Sequence, residues 1–220
     1  MWEKGRPRLT GAVPRLLLLR HGQSAWNAAE RWQGWADPPL SELGRRQALA
    51  AVTMLRDHGF GAVVSSDLIR ARQSADMLAA GLGLPAPEVD ADLRERDIGA
   101  WTGCTTAEIL ERWPGQLEAW RDGKLTAPPG GESHARLVER VTRAVERLAG
   151  ADTGTADRAS ALVVVTHGGV IRTLERHLGV EPATAANFGG RWIEREGEVL
   201  RPGPPVALAD GDPRTITTRL

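Results

Sequence analysis

Cysteine occurs once in the 220 residues, as Cys104, which rules out an internal disulfide and fits a reducing compartment. Long hydrophobic runs are missing too. Toward the N-terminus the longest purely aliphatic stretch is Leu16–Leu19, far too short for a signal-peptide core or a membrane span. Nor is there an excess of charge of either sign, since Lys plus Arg and Asp plus Glu each number 28. No global field therefore draws the chain to nucleic acid or to an anionic membrane, and neither is expected as a partner. Lysine is scarce, at Lys4 and Lys124, so any local basic site has to be built from arginine. Internal repeats and low-complexity blocks are absent. These absences describe a cytoplasmic globular protein, of a length that suits one substantial domain.

What is present is an alternation of strand and helix patterns. "RLLLL" (15–19), "GAVVSS" (61–66) and "ALVVVT" (161–166) are short apolar runs of the kind buried on both faces of a parallel sheet. Each leads into a helical pattern. Leu43, Ala48, Val52 and Leu55 share one face before Gly59, and Leu68, Ala71, Ala75 and Leu78 share another before Gly81. "GGVIRTLERHLGV" stops at Gly179. Two further helices are expected: "TTAEILERW", with Thr105 and Glu108 spaced as a capping box, and "SHARLVERVTRAVERLAG". The second lines up Leu137, Val138, Val141, Val145 and Leu148 and stops at Gly150. "RWIERE" and "EVLRP" (191–202) predict a strand pair turning at Gly197. The alternation predicts one α/β domain on a mostly parallel central sheet. Its boundaries are expected at 15–202, with 1–14 a loose leader and 151–160 a surface loop. Residues 203–220 have the Pro-, Gly- and Asp-rich composition of a partly disordered tail.

In such sheets ligands bind beyond the carboxyl ends of the strands. Those ends carry Arg20-His21-Gly22, Ser65-Ser66 with Arg70, and Thr166-His167-Gly168-Gly169. A buried arginine or histidine is costly unless something pairs with it. Two arginines, two histidines and helix N-termini on one sheet edge are the chemistry of a phosphate site. Between them lies "LRERDIGAWTG" (93–103), which brings Glu95 as a carboxylate candidate. The rival assembly is a His/His/Glu metal site. Arginines beside the first histidine and the carboxylate make a divalent cation unwelcome, and no HExxH-like ligand pair occurs. There is also no Walker P-loop and no GxGxxG after a strand, so neither a metal nor a cofactor is expected.

"LLRHGQSAWN" (18–27), "SSDLIRARQSA" (65–75), "LRERDIGAWTG" (93–103) and "VVTHGG" (164–169), in this order and spacing, resemble the histidine phosphatase superfamily, also called phosphoglycerate mutase-like. "RWQGWADPPLSELGRRQA" (31–48) and "PPGGES" (128–133) support the resemblance. It implies a three-layer α/β/α fold of the phosphoglycerate mutase type. It also implies roles: His21 as nucleophile, Glu95 as general acid and then base, and Arg20, Arg70 and His167 as the phosphate pocket. Asn27, Gln33 and Gly168 would contact the substrate. The chemistry agrees, because a phosphohistidine divides one hard displacement into two easier ones. The nucleophile must be a neutral imidazole, and neighbouring Arg20 and Arg70 disfavour a further positive charge.

Each of these residues has a duller reading when taken alone. His21 at a strand end is ordinarily structural, Arg70 a solvated helix charge, and Glu95 one acid of a loop that also holds Asp92 and Asp97. Their combination lifts them above it. Cys104 reads as a small residue opening a helix, and His58 and His177 as structural. His134, after "GGES", either reaches the substrate or is an exposed helix-start histidine, and Trp32, Trp35 and Trp101 either wall the pocket or pack at core or rim. Mutases of the family carry a longer insertion after the glutamate, with basic residues and tyrosine. Here that region is compact and the chain has no tyrosine. The resemblance therefore implies a metal-independent phosphomonoester hydrolase acting on a small phosphorylated metabolite. A cofactor-dependent phosphoglycerate mutase is the alternative, and a non-catalytic phospho-binding module the third reading. Leaving-group choice is expected to rest on Trp26, Gln33, Arg94, Arg96 and His134, and a homodimer is compatible with the resemblance.

Overall fold

Alternate side chains of the first leucine run enter opposite cores, and all four are buried. The computed structural model describes residues 15–150, 161–182 and 186–208. Six strands, β1 (Leu16–Arg20), β2 (Phe60–Ser65), β3 (Glu88–Val89), β4 (Ala161–Thr166), β5 (Gly189–Glu196) and β6 (Val199–Ala207), form one sheet ordered β3-β2-β4-β1-β5-β6. β1, β2, β3 and β4 pair in parallel, while β5 and β6 add an antiparallel hairpin beside β1. The helices are α1 (Ala25–Ala28), α2 (Glu42–Leu55), α3 (Ile69–Leu82), α4 (Thr106–Arg112), α5 (Gln116–Arg121), α6 (His134–Gly150) and α7 (Gly168–His177).

On one face Leu16, Leu18, Leu162 and Val164 pack against Leu137, Val141 and Val145 of α6 and Val170, Ile171 and Leu174 of α7. On the other, Leu17, Leu19, Val163 and Val165 meet Ala48, Ala51, Val52 and Leu55 of α2 and Ala71, Ala75 and Leu78 of α3. The architecture is thus three layers, α/β/α, around a mostly parallel sheet. A third cluster (Trp32, Ile98, Trp101, Cys104, Ile109 and Leu117) joins α4 and α5 to the loop after α1. Buried Cys104 belongs to it, away from the nucleophile role.

Two expectations need correction. The helix after β2 does not stop at Gly81 but runs to Leu82, where Gly83 takes the left-handed turn at φ 70°. Gly81 is instead a packing position, since a Cβ there would lie 2.6 Å from Val52. The final strand does not end at 202. β6 continues to Ala207 through Pro202, Pro204 and Pro205, which an edge strand tolerates because its outer side needs no N–H donors. The expected leader at 1–14, the loop at 151–160 and the tail beyond 208 lie outside the described residues.

Candidate active site

Parallel pairing of β1 with β4 sets Arg20 opposite Thr166, so the residues that follow, His21 and His167, emerge side by side. Their rings meet edge to face with centroids 5.1 Å apart. Every backbone group around His21 is held. Its N–H donates to Thr166 O (2.9 Å), its carbonyl accepts from Asn187 Nδ2 (2.8 Å), and Gly22 N donates to Ser74 Oγ (3.0 Å).

The ring of His21 has its own fixed geometry. Nδ1 lies 2.6 Å from Gly22 O, which can only accept, so Nδ1 carries the proton. Nε2 then holds the lone pair, and it accepts from Arg70 Nε at 3.2 Å. Burial, then the charges of Arg70 and Arg20, hold the imidazole well below its ordinary pKa of 6.5. The ring is therefore neutral at physiological pH.

Arg70 is aimed by the loop after α1. Its two terminal nitrogens donate to Ala36 O (2.8 Å) and Gly34 O (2.9 Å). Asp37 of the same loop accepts from Ile69 N at the start of α3 (2.5 Å), fixing loop and helix together. Burial lowers the pKa of Arg70 to about 10, and burial followed by the charge of Arg172 does the same to Arg20. Both remain cations, at a desolvation cost that a bound anion offsets.

Glu95 arrives on the segment between β3 and α4. Its Oε1 accepts from Arg96 N (2.8 Å) and its Oε2 from Gly169 N (3.0 Å) at the N-terminus of α7. That segment is held by one side chain of α6. Arg140 donates to the carbonyls of Asp92 (2.8 Å), Arg94 (2.7 Å) and Glu95 (2.9 Å) while pairing with Glu132 through two bonds. Both partners are nearly buried, with 11% and 8% of their side-chain surface exposed.

Arg20, His21, Asn27, Gln33, Arg70, Glu95 and Gly168 all line one cavity of about 1240 Å³. Asn27 Oδ1 accepts from Ser24 N in a capping box, and Gln33 Oε1 accepts from Ser24 Oγ at 2.6 Å. His167 stands apart from the other expected site residues. It is wholly buried behind His21, with Nε2 on Ser66 Oγ (2.9 Å) and Nδ1 without a hydrogen-bond partner among the described residues. Of the tryptophans left open, Trp32 lines the cavity, Trp101 is core, and Trp35 lies outside, donating to Glu95 O (2.7 Å). His134 lines the cavity, whereas Arg94 turns away to pair with Asp67. The sequence reading missed Arg172, Arg176 and Trp120 as cavity residues, because a helix-face arginine looks the same whether it faces solvent or ligand. The Arg172–Arg176 spacing of four was the signal available. Among the described residues no group of three or more His, Cys, Asp or Glu side chains converges as metal ligands do.

Comparison with known proteins agrees with this architecture. A glucosyl-3-phosphoglycerate phosphatase of Mycolicibacterium vanbaalenii is 39% identical over 205 residues, covering 90% of this chain and 91% of the relative. A metal-independent phosphoserine phosphatase of Arabidopsis thaliana is 35% identical over 182 residues, covering 81% and 74%. The solved mycobacterial glucosyl-3-phosphoglycerate phosphatase in complex with VO3 superposes with a TM-score of 0.71 at 35% identity, covering 86% of this chain and 97% of that one. Residues 16–191 match the family model of the histidine phosphatase superfamily (branch 1), and the chain belongs to that superfamily.

Proposed function

We propose that the protein is a metal-independent phosphomonoester hydrolase that works through a phosphohistidine on His21 and acts on a small phosphorylated metabolite. The observation that carries this reading is the tautomer of His21: Nδ1–H on Gly22 O leaves the Nε2 lone pair facing Arg70 inside an arginine-lined cavity. In the first step Nε2 attacks phosphorus and the ester P–O bond breaks. Glu95 gives its proton to the departing oxygen, and the Gly22 carbonyl steadies the positive charge that grows on the ring. In the second step Glu95 takes a proton from water, the water oxygen bonds to phosphorus, and the N–P bond breaks, returning neutral His21. Arg20 and Arg70 stabilise the charge spread over the phosphoryl oxygens through both steps. His167 Nδ1 is the polar atom that a phosphoryl oxygen would satisfy, and Asn27, Gln33 and Gly168 complete the substrate side. Hydrolysis rather than transfer is supported by the phosphatase names of the two curated relatives.

The test is phosphate release from a panel of phosphomonoesters in EDTA. Wild type is expected to release phosphate undiminished, and His21→Ala to lose at least about a thousandfold. Loss of release in EDTA, or release that persists in His21→Ala, would sink the proposal. Transfer of phosphate between phosphoglycerates without net release would replace it with the mutase.

A further inference from the structure

Gln47 is the polar exception on the inner face of α2. The other buried positions of that helix are Gly44, Ala48, Ala51, Val52 and Leu55, and Gln47 lies among them with 6% of its surface exposed. A buried amide is costly unless its hydrogen-bonding groups are used. The Oε1 of Gln47 accepts from Gln23 N at 2.9 Å, two residues after the nucleophile.

The same peptide group meets the nucleophile at its other end. The unit joining Gly22 to Gln23 is planar, and its C=O and N–H point in opposite directions. Its carbonyl takes the proton of His21 Nδ1 at 2.6 Å while its N–H donates to Gln47. With the carbonyl toward the ring, the proton sits on Nδ1 and the Nε2 lone pair faces Arg70. With the plane turned over, Gln23 N–H would donate to Nδ1 and the ring proton would move to Nε2. His21 is held neutral, so a neighbouring group can select between its tautomers.

Residue 22 does not itself choose between the two orientations. A Cβ there would lie 2.6 Å from Gly44 O, so the close approach demands glycine, and glycine lets the adjoining peptide rotate. The flanking peptides are pinned separately. His21 O and Gly22 N are held by Asn187 and Ser74, and Gln23 O accepts from Ser41 N (2.9 Å). The plane between them depends on its own two partners.

We infer that Gln47 is a positioning residue for the nucleophile: by accepting from Gln23 N–H it keeps the Gly22 carbonyl on His21 Nδ1 and so sets the tautomer in which Nε2 can attack. The inference rests on the phosphohistidine reading. Without this acceptor, the present orientation leaves Gln23 N–H buried and unpaired, whereas the turned-over one gives that N–H to Nδ1. Buried N–H groups are left unpaired less often than carbonyls, so the balance moves toward the tautomer that cannot attack.

The experiment reads the tautomer from the imidazole nitrogen shifts of protein labelled at histidine, at mildly alkaline pH, with His21 assigned by its absence in His21→Gln. Wild type is expected in the Nδ1–H form. Gln47→Met, similar in size but without an acceptor, should show about half or more of its His21 as Nε2–H. Its kcat/KM for p-nitrophenyl phosphate should fall about three- to tenfold, while inhibition by inorganic phosphate, a ligand of Arg20 and Arg70, stays within about twofold. Gln47→Glu retains an acceptor and should keep the Nδ1–H form, with kcat/KM within about threefold of wild type. A merely structural Gln47 would lose thermal stability in Gln47→Met without any change of tautomer, and that result overturns the inference. An Nε2–H ring in Gln47→Glu overturns it too, and stands as the test if Gln47→Met does not fold. An Nε2–H ring in wild type overturns the nucleophile reading itself.

Discussion

A methyl group at residue 169 has nowhere to go: its carbon would lie 2.1 Å from Glu95 Oε1 and 2.9 Å from Cδ. Gly169 is thus a positioning residue, letting the carboxylate sit against the first turn of α7. Gly169→Ala should leave the fold intact, because alanine suits a helix better than glycine. It should push the carboxylate away from the leaving oxygen and lower kcat/KM for alkyl phosphates by about ten- to hundredfold, part of the usual range for general acid catalysis. p-Nitrophenyl phosphate, whose leaving group needs no proton, should lose far less. Equal losses on both esters would show that the methyl disturbs phosphate binding instead of the acid. At this scale the sequence was most legible where strands end. The placement of Arg20, His21 and Arg70 at one cavity follows from the rule that ligands sit at the carboxyl edge. The role of Gly169 is not legible from its motif, since the residue it makes room for is 74 positions away.

At the scale of elements, α6 supports the site without reaching the cavity beyond its first residues. Its Arg140 donates to the carbonyls of Asp92, Arg94 and Glu95 and pairs with Glu132, and so ties the Glu95 segment to the helix. Arg140→Met leaves Glu132 as an uncompensated, nearly buried charge and should cost about 3 kcal/mol of stability. Adding Glu132→Leu removes that charge and should restore most of the loss. It cannot restore the three carbonyl bonds, so kcat should stay low in the double variant while the urea midpoint recovers. Recovery of both would reduce Arg140 to a structural ion pair. The elements themselves were legible in proportion to their length. The helices of α2, α3, α6 and α7 announce themselves by apolar spacing over ten or more residues. α1, α5 and β3 span four, six and two residues, too few for a period to register. Residues 203–207 of β6 read as tail because Pro204 and Pro205 argue against a strand anywhere except an edge, and edge position is a property of the whole sheet.

For the whole molecule, stacking helices on both faces of the sheet buries two histidines and two arginines at the strand ends, where His21 and His167 are 2% and 0% exposed. Burial, followed by Arg70, holds both imidazoles well below 6.5 in the folded protein, and no carboxylate contributes to raising either. In the unfolded chain both titrate near about 6.5. Below that pH the unfolded state takes up two protons that the folded state refuses, so it binds more protons and stability rises with pH. The contribution is complete above the unfolded value and is lost as pH falls below it. The slope has a ceiling of about 1.4 kcal/mol per pH unit for each histidine. Exposed His134 at the start of α6 is shifted in the same direction, but solvent screening reduces its share. Asp67, whose pKa is lowered mainly by its hydrogen bond to Arg94, acts below 3.8 and stays out of this window. Urea midpoints measured from pH 5 to 8 should therefore fall steadily below about 6.5. His167→Gln should remove roughly half of that slope, since glutamine has no proton to refuse. A midpoint flat across the window would mean that the folded protein carries charged histidines, and a protonated His21 has no lone pair with which to attack phosphorus.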